Sequence, residues 1–251
     1  MGDVIYPSGR RERSIVTGLA FVAAGVLGAC GGRGTQPGSG AQPSVSPPAM
    51  LEEGTGPLVA FLGDSLTAGH DIPEQDAYPA VVGRMLAAEG IHVRTLNAGV
   101  SGDTSAGGLR RIDWVLRQHP IVVVVALGGN DGLRGLDLVE LEDNLRRIVA
   151  KIHESRAKPI LAGIKLPPNY GRHYTRRFDA LFPRLAKELD VPFIPFLLAG
   201  VAGKADMTLA DGIHPNAAAH RVIAATVLPF VLAQLPASVR KPDQDGPRHS
   251  G

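Results

Sequence analysis

Cysteine occurs once, at Cys30, so no disulfide can form within the chain. Charge of neither sign dominates: 26 Lys and Arg stand against 24 Asp and Glu, a formal net charge of +2. That balance gives no electrostatic case for a nucleic-acid partner, although arginines cluster locally. No G-x-x-x-x-G-K-[ST] follows an apolar run, which excludes a P-loop, and the G-x-S-x-G elbow of α/β hydrolases is missing. His92, His119, His153, His173, His220 and His249 form no short-range cluster at metal-ligand spacing, so neither a metal nor another cofactor is expected. Internal repeats are also lacking.

The amino terminus has the form of an export signal. Arg10, Arg11 and Arg13 precede the apolar stretch Ile15 to Ala29, which falls short of the ~20 residues that cross a bilayer comfortably. A cleaved signal over 1–29 therefore fits better than a permanent span. The sequence "LGAC", Leu27 to Cys30, resembles a bacterial lipoprotein box, in which the cysteine becomes the lipid-bearing first residue. A plain signal with an incidental thiol is the alternative. Residues 30–57 then turn rich in Gly, Pro and Ser with no apolar period, as a tether does. The polar tail 237–251 is expected to be disordered. One folded domain remains, over 58–236.

Within it, short β-type runs alternate with helical ones. "LVAFLG" at Leu58, "VRTLNAG" at Val93, "IVVVVALGG" at Ile121, "PILAGIK" at Pro159 and "VPFIPF" at Val191 read as strands. Between them, Tyr78, Val81, Val82, Met85 and Leu86 recur at three- and four-residue spacing, as do Leu138, Leu141, Leu145, Ile148, Val149 and Ile152. The alternation predicts a flavodoxin-like α/β sandwich: a parallel sheet of about five strands with helices on both faces.

A sheet of this kind binds ligands outside the carboxyl ends of its strands, and the polar, glycine-rich clusters fall there. "GDSLTAG" follows the first strand, "GVSGDTS" the second and "GGND" the third, while "DGIHPN" lies beyond the fifth. Each alone could be a turn or a helix start. Together they supply complementary chemistry. Ser65 needs a base to become a nucleophile, and a neutral His214 can take its proton. Asp211, three positions before His214, can reach the other imidazole nitrogen. The N–H groups of Ser65 and Gly102 and the Asn130 amide can donate to an oxyanion.

The four motifs, with "NAGVSGDTSAGGL", "LGGNDGLRG" and "LPPNYGRHY" around them, resemble the GDSL or SGNH hydrolases, and among those the bacterial arylesterase and thioesterase I group. The resemblance spans Leu58 to Leu235 and implies Ser65 as nucleophile, Gly102 and Asn130 as oxyanion donors, and Asp211 with His214 as acid and base. His70 departs from the pattern, since relatives often carry an aromatic residue after "TAG". The expected protein is an exported serine esterase of the cell envelope, periplasmic or held to a membrane through Cys30. Its substrate is a small acyl ester, thioester or lysolipid, whose acyl chain runs along Leu66, Leu133, Tyr170 and Ile213. A lysophospholipase or carbohydrate deacetylase with the same triad, and a tethered envelope binding protein without turnover, are the alternatives.

Overall fold

The computed structural model describes residues 50–51 and 56–240. The expected export signal, Cys30, most of the linker and the tail beyond Arg240 lie outside them. The linker expected over 30–57 does reach the sheet: β1 (Met50–Leu51) runs antiparallel along β3 (Arg94–Gly99). An edge strand leaves a row of backbone groups unpaired, and a short extended segment satisfies them.

The other strands are parallel: β2 (Leu58–Gly63), β4 (Pro120–Ala126), β5 (Lys158–Ala162) and β6 (Phe193–Ile194). The order is β1-β3-β2-β4-β5-β6, so the five parallel strands take the expected flavodoxin-like arrangement. The two middle strands are the most apolar. All of β2 is buried, and Val122 to Val125 of β4 are fully inaccessible. Each such valine contributes about 1.5–3 kcal/mol by its removal from water. "VPFIPF" yields only two strand residues because Pro192 and Pro195 flank them and carry no N–H for a ladder.

Helices cover the sheet in two layers. α2 (Tyr78–Ala88), with Pro79 in its first turn, packs on α7 (Ala217–Gln234). α3 (Ser105–Leu116), α5 (Leu138–Glu154) and α6 (Arg172–Glu188) make the other layer. In α5 the six residues of the apolar stripe are all buried, and Asp137 caps the helix by accepting from the Val139 N–H at 2.8 Å. Two one-turn helices, α1 (Ser65–Ala68) and α4 (Gly129–Leu133), follow β2 and β4 directly. The tail expected to be disordered from Ala237 opens with a further turn, α8 (Ala237–Arg240), held by N–H groups of Val239 and Arg240 donating to the Pro236 carbonyl.

One core contact carries a pH term. His220 of α7 is 1% exposed, and its Nδ1 accepts from the Tyr78 N–H at 3.1 Å, which puts the proton on Nε2. That Nε2 has no partner among the described residues. Burial pushes the His220 pKa from 6.5 down to about 4. A base whose folded pKa is depressed contributes stability above its unfolded value and loses it as pH falls through the folded one. The window is therefore about pH 6.5 down to 4, and the shift corresponds to about 3 kcal/mol. Asn at this position keeps an acceptor for Tyr78 but does not titrate. Urea unfolding at pH 7 and pH 4 should show wild type exceeding His220→Asn at pH 7 by a margin that shrinks by up to about 3 kcal/mol at pH 4. A margin independent of pH would contradict the buried neutral imidazole.

Candidate active site

β2 ends at Gly63, and Asp64 caps the helical turn that begins at Ser65 by accepting from the Leu66 N–H at 3.0 Å. The serine thus sits where a central strand gives way to a helix. Across from it, the 208–215 loop is closed by a Thr208–Pro215 bridge and by the Leu209 N–H donating to the His214 carbonyl at 2.8 Å. The loop brings His214 Nε2 to 3.0 Å from Ser65 Oγ and His214 Nδ1 to 2.5 Å from Asp211 Oδ2. The other Asp211 oxygen accepts the N–H groups of Ile213 and His214 at 2.9 and 3.0 Å. The bond to the imidazole, then those two N–H groups, hold Asp211 well below the usual carboxylate range. An ionised Asp211 can only accept, so Nδ1 carries the proton and Nε2 is left with a lone pair facing the serine hydroxyl.

The other predicted oxyanion donors, Gly102 and Asn130, lie just beyond β3 and β4. Gly102 has φ +79, which favours glycine, and a Cβ there would meet nothing closer than Arg134 Nη2 at 3.6 Å. Its carbonyl accepts from that Nη2 at 2.8 Å, which anchors the loop through the Gly102–Asp103 peptide. Asn130, in α4, donates Nδ2 to the Asp103 carbonyl at 3.0 Å and stands 3.5 Å from Asp64 Oδ2. Both neighbours are acceptors, so the amide nitrogen, not its oxygen, faces the site. One of its hydrogens is engaged by Asp103. The other has only the long contact to Asp64 and can turn to a developing negative charge.

Further polar residues around these loops carry no motif role in the sequence. Asp64 is 2% exposed, and burial, opposed by the Leu66 N–H, lifts its pKa to about 6. Arg111 of α3 donates Nη2 to the Gly63 carbonyl at 2.7 Å, Nη1 to the Ala98 carbonyl at 2.5 Å and Nε to Asp103 Oδ2 at 2.7 Å. It joins the ends of β2 and β3 to the loop that carries Gly102. Asp131, 3% exposed, accepts from the Ser105 N–H at 2.8 Å and hydroxyl at 2.6 Å, while Asn144 donates to that hydroxyl at 3.0 Å. α3, α4 and α5 are joined there. A signal for Arg111 existed: it lies three residues after Gly108 and four before Val115, on the buried stripe of its helix.

The expected acyl-chain residues are less closely grouped by burial. Leu66 and Tyr170 are half-buried against the core, whereas Leu133 is 43% and Ile213 67% exposed. His70 is not remote from the chemistry: its ring centroid lies 4.3 Å from that of His214. An open cleft lined by Asp113, Arg117, His119, Ile121 and Arg156 lies at the opposite, amino-terminal edge of the strands and holds none of the motif residues.

Residues 61–222 match the model of the GDSL-like Lipase/Acylhydrolase family. Thioesterase 1/protease 1/lysophospholipase L1 of Escherichia coli is 44% identical over 165 residues, covering 65% of this chain and 78% of that one. Esterase TesA of Pseudomonas aeruginosa is 39% identical over 181 residues, 72% of this chain and 90% of the relative. Among solved structures, the psychrotrophic esterase EstA from Pseudoalteromonas sp., inhibited by monoethylphosphonate, superposes with a TM-score of 0.66 at 32% identity, covering 69% of this chain and 96% of that one.

Proposed function

The chain belongs to the GDSL-like lipase/acylhydrolase family and is a hydrolase of acyl esters or thioesters; we propose that Ser65 is its nucleophile, with His214 as base and Asp211 as the acid that orients it. The unbroken series from Ser65 Oγ through His214 to Asp211, at 3.0 and 2.5 Å, carries this reading. His214 takes the serine proton as Ser65 Oγ attacks the acyl carbon, and returns it to the departing alcohol or thiol. The tetrahedral intermediate places its oxyanion at the N–H groups of Ser65 and Gly102 and the Asn130 amide. Water, activated by the same imidazole, then cleaves the acyl-Ser65 ester.

The acyl chain is proposed to run along Leu66, Leu133, Tyr170 and Ile213. In support, the exposed large hydrophobic side chains among the described residues are Leu133, Leu136, Val139 and Ile213, in segments that follow Asn130 or adjoin His214. A lysophospholipid fits the same arrangement, and one relative is named for thioesterase and lysophospholipase activities together. Export and tethering through Cys30 rest on the "LGAC" box and the Gly/Pro/Ser-rich stretch behind it. Mass spectrometry of the mature amino-terminal peptide tests the tether: acylation of Cys30 supports it, and an unmodified thiol contradicts it.

A fluorophosphonate probe tests the nucleophile directly, and the phosphonate-inhibited relative motivates the reagent. Peptide mapping should find the adduct on Ser65 alone, and Ser65→Ala should lower kcat for an aryl ester by about 10⁴-fold or more while remaining folded. Labelling at another serine, or turnover surviving in Ser65→Ala, would contradict the assignment.

A further inference from the structure

His70 has no part in the hydrolytic cycle, yet it stands on the turn that follows the serine. Gly69 closes α1 in the left-handed conformation at φ 76, and the His70 N–H donates to the Ser65 carbonyl at 3.2 Å, so the backbone of His70 is fixed relative to the serine. The 208–215 loop fixes His214 and Asp211 in the same way. One nitrogen from each imidazole and one Asp211 oxygen lie within 4.8 Å of one another. We propose that His70, His214 and Asp211 form a Zn²⁺ site whose occupation switches the hydrolase off. The binding part stands on this geometry, and the switching part rests on His214 being the base.

Two imidazoles and a carboxylate suit zinc, which takes nitrogen and oxygen ligands at ~2.0–2.2 Å and leaves a fourth position to water. Hard cations such as Mg²⁺ prefer an all-oxygen shell, which this site does not offer. In a tetrahedral site with those bond lengths, neighbouring ligand atoms lie roughly 3.4 Å apart. The Asp211–His214 pair, at 2.5 Å, must open by about 0.9 Å to admit the metal, and His70 must approach by at most about 1.4 Å. Its side chain is 36% exposed, and its Nε2 lies 3.4 Å from the carboxylate of the more exposed Asp71, so rotation of the imidazole costs little.

Zinc accepts a lone pair from His214 Nδ1, the nitrogen beside Asp211, and so breaks the triad. The imidazole proton that Asp211 holds at Nδ1 then sits on Nε2, which can no longer take the proton of Ser65. Binding releases no covalent product, so removing the metal restores the enzyme.

His70→Phe keeps an aromatic ring and removes the ligand. The experiment combines calorimetric titration of ZnCl₂ into Ser65→Ala protein, with and without His70→Phe, and inhibition of ester turnover in otherwise wild-type protein, each variant measured against its own metal-free rate. Expected are one Zn²⁺ per chain, turnover lost in proportion to occupancy and regained with EDTA, and no effect of MgCl₂ at equal concentration. Loss of an outer-sphere partner alone weakens zinc sites by about 10–100-fold, so His70→Phe should weaken both binding and inhibition at least about tenfold. Equal binding and inhibition in the two backgrounds would overturn the site and leave the nucleophile assignment standing. His70-dependent binding that leaves turnover intact would instead overturn the switch, together with the role of His214 as base.

Discussion

The guanidinium of Arg111 closes the carboxyl edge of the sheet where the chain changes direction. Parallel strands β2 and β3 end side by side at Gly63 and Gly99, where the Gly63 carbonyl also accepts from the Val100 N–H at 3.1 Å. Arg111 supplies charged donors to the Gly63 and Ala98 carbonyls and its Nε–H to Asp103. Its side chain is 21% exposed and that of Asp103 11%, so the pair is screened little, and loss of either partner leaves an uncompensated charge near the core. Close packing enforces the same geometry. A Cβ on Gly99 would lie 2.1 Å from the Ala68 nitrogen, so α1, which carries Ser65, can sit on the end of β3 only because that residue is glycine. From the Asp103 carbonyl the constraint passes to the Asn130 amide.

Two aspartates near the serine are placed in opposite environments. Asp211 is 38% exposed by its side chain and satisfied by the imidazole and two N–H groups, which keep it ionised. Asp64 is buried, and desolvation raises it to about 6. The first environment suits a group that must stabilise an imidazolium. The second suits a group whose work is capping α1 next to a place where negative charge is proposed to develop, because a carboxylate that readily takes a proton opposes that charge less. The sign for stability follows. An acid raised in the folded state contributes stability below its ordinary value of 3.8 and loses it as pH rises through about 6, opposite to His220 over much of the same range.

Much of this was legible in the sequence because local patterns carry it. The unbroken "IVVVV" is a plain apolar run and the stripes of α2 and α5 depend on periodicity, and the structure buries them except Ile121 and Met85, which are half-buried. Ser65, Gly102, Asn130, Asp211 and His214 stand out as candidates because each lies in a short polar motif. What escaped depends on contacts distant in the chain. Arg111 looks like one more charge in "GGLRRID" until the fold brings Gly63 to it from 48 positions away. The pairing of Met50 and Leu51 with β3 has no apolar period to announce it, and the near contact of His70 with His214 joins loops that only the tertiary fold unites.

A double-mutant cycle in kcat measures whether Arg111 acts on the reaction through the loop that Asp103 shares with Gly102 and Asn130. Asn130→Ala should lower kcat by roughly 10²–10³ with little change in KM, the size expected for one oxyanion donor. Arg111→Lys keeps the charge but cannot serve three acceptors in a fixed fork. It should also lower kcat per folded molecule, by about tenfold or more, with KM little changed. If both act at one place, the double variant loses distinctly less than the product of the two single losses. Losses that multiply in full, or an Arg111→Lys enzyme that loses unfolding midpoint while keeping wild-type kcat, would leave Arg111 with a purely structural role.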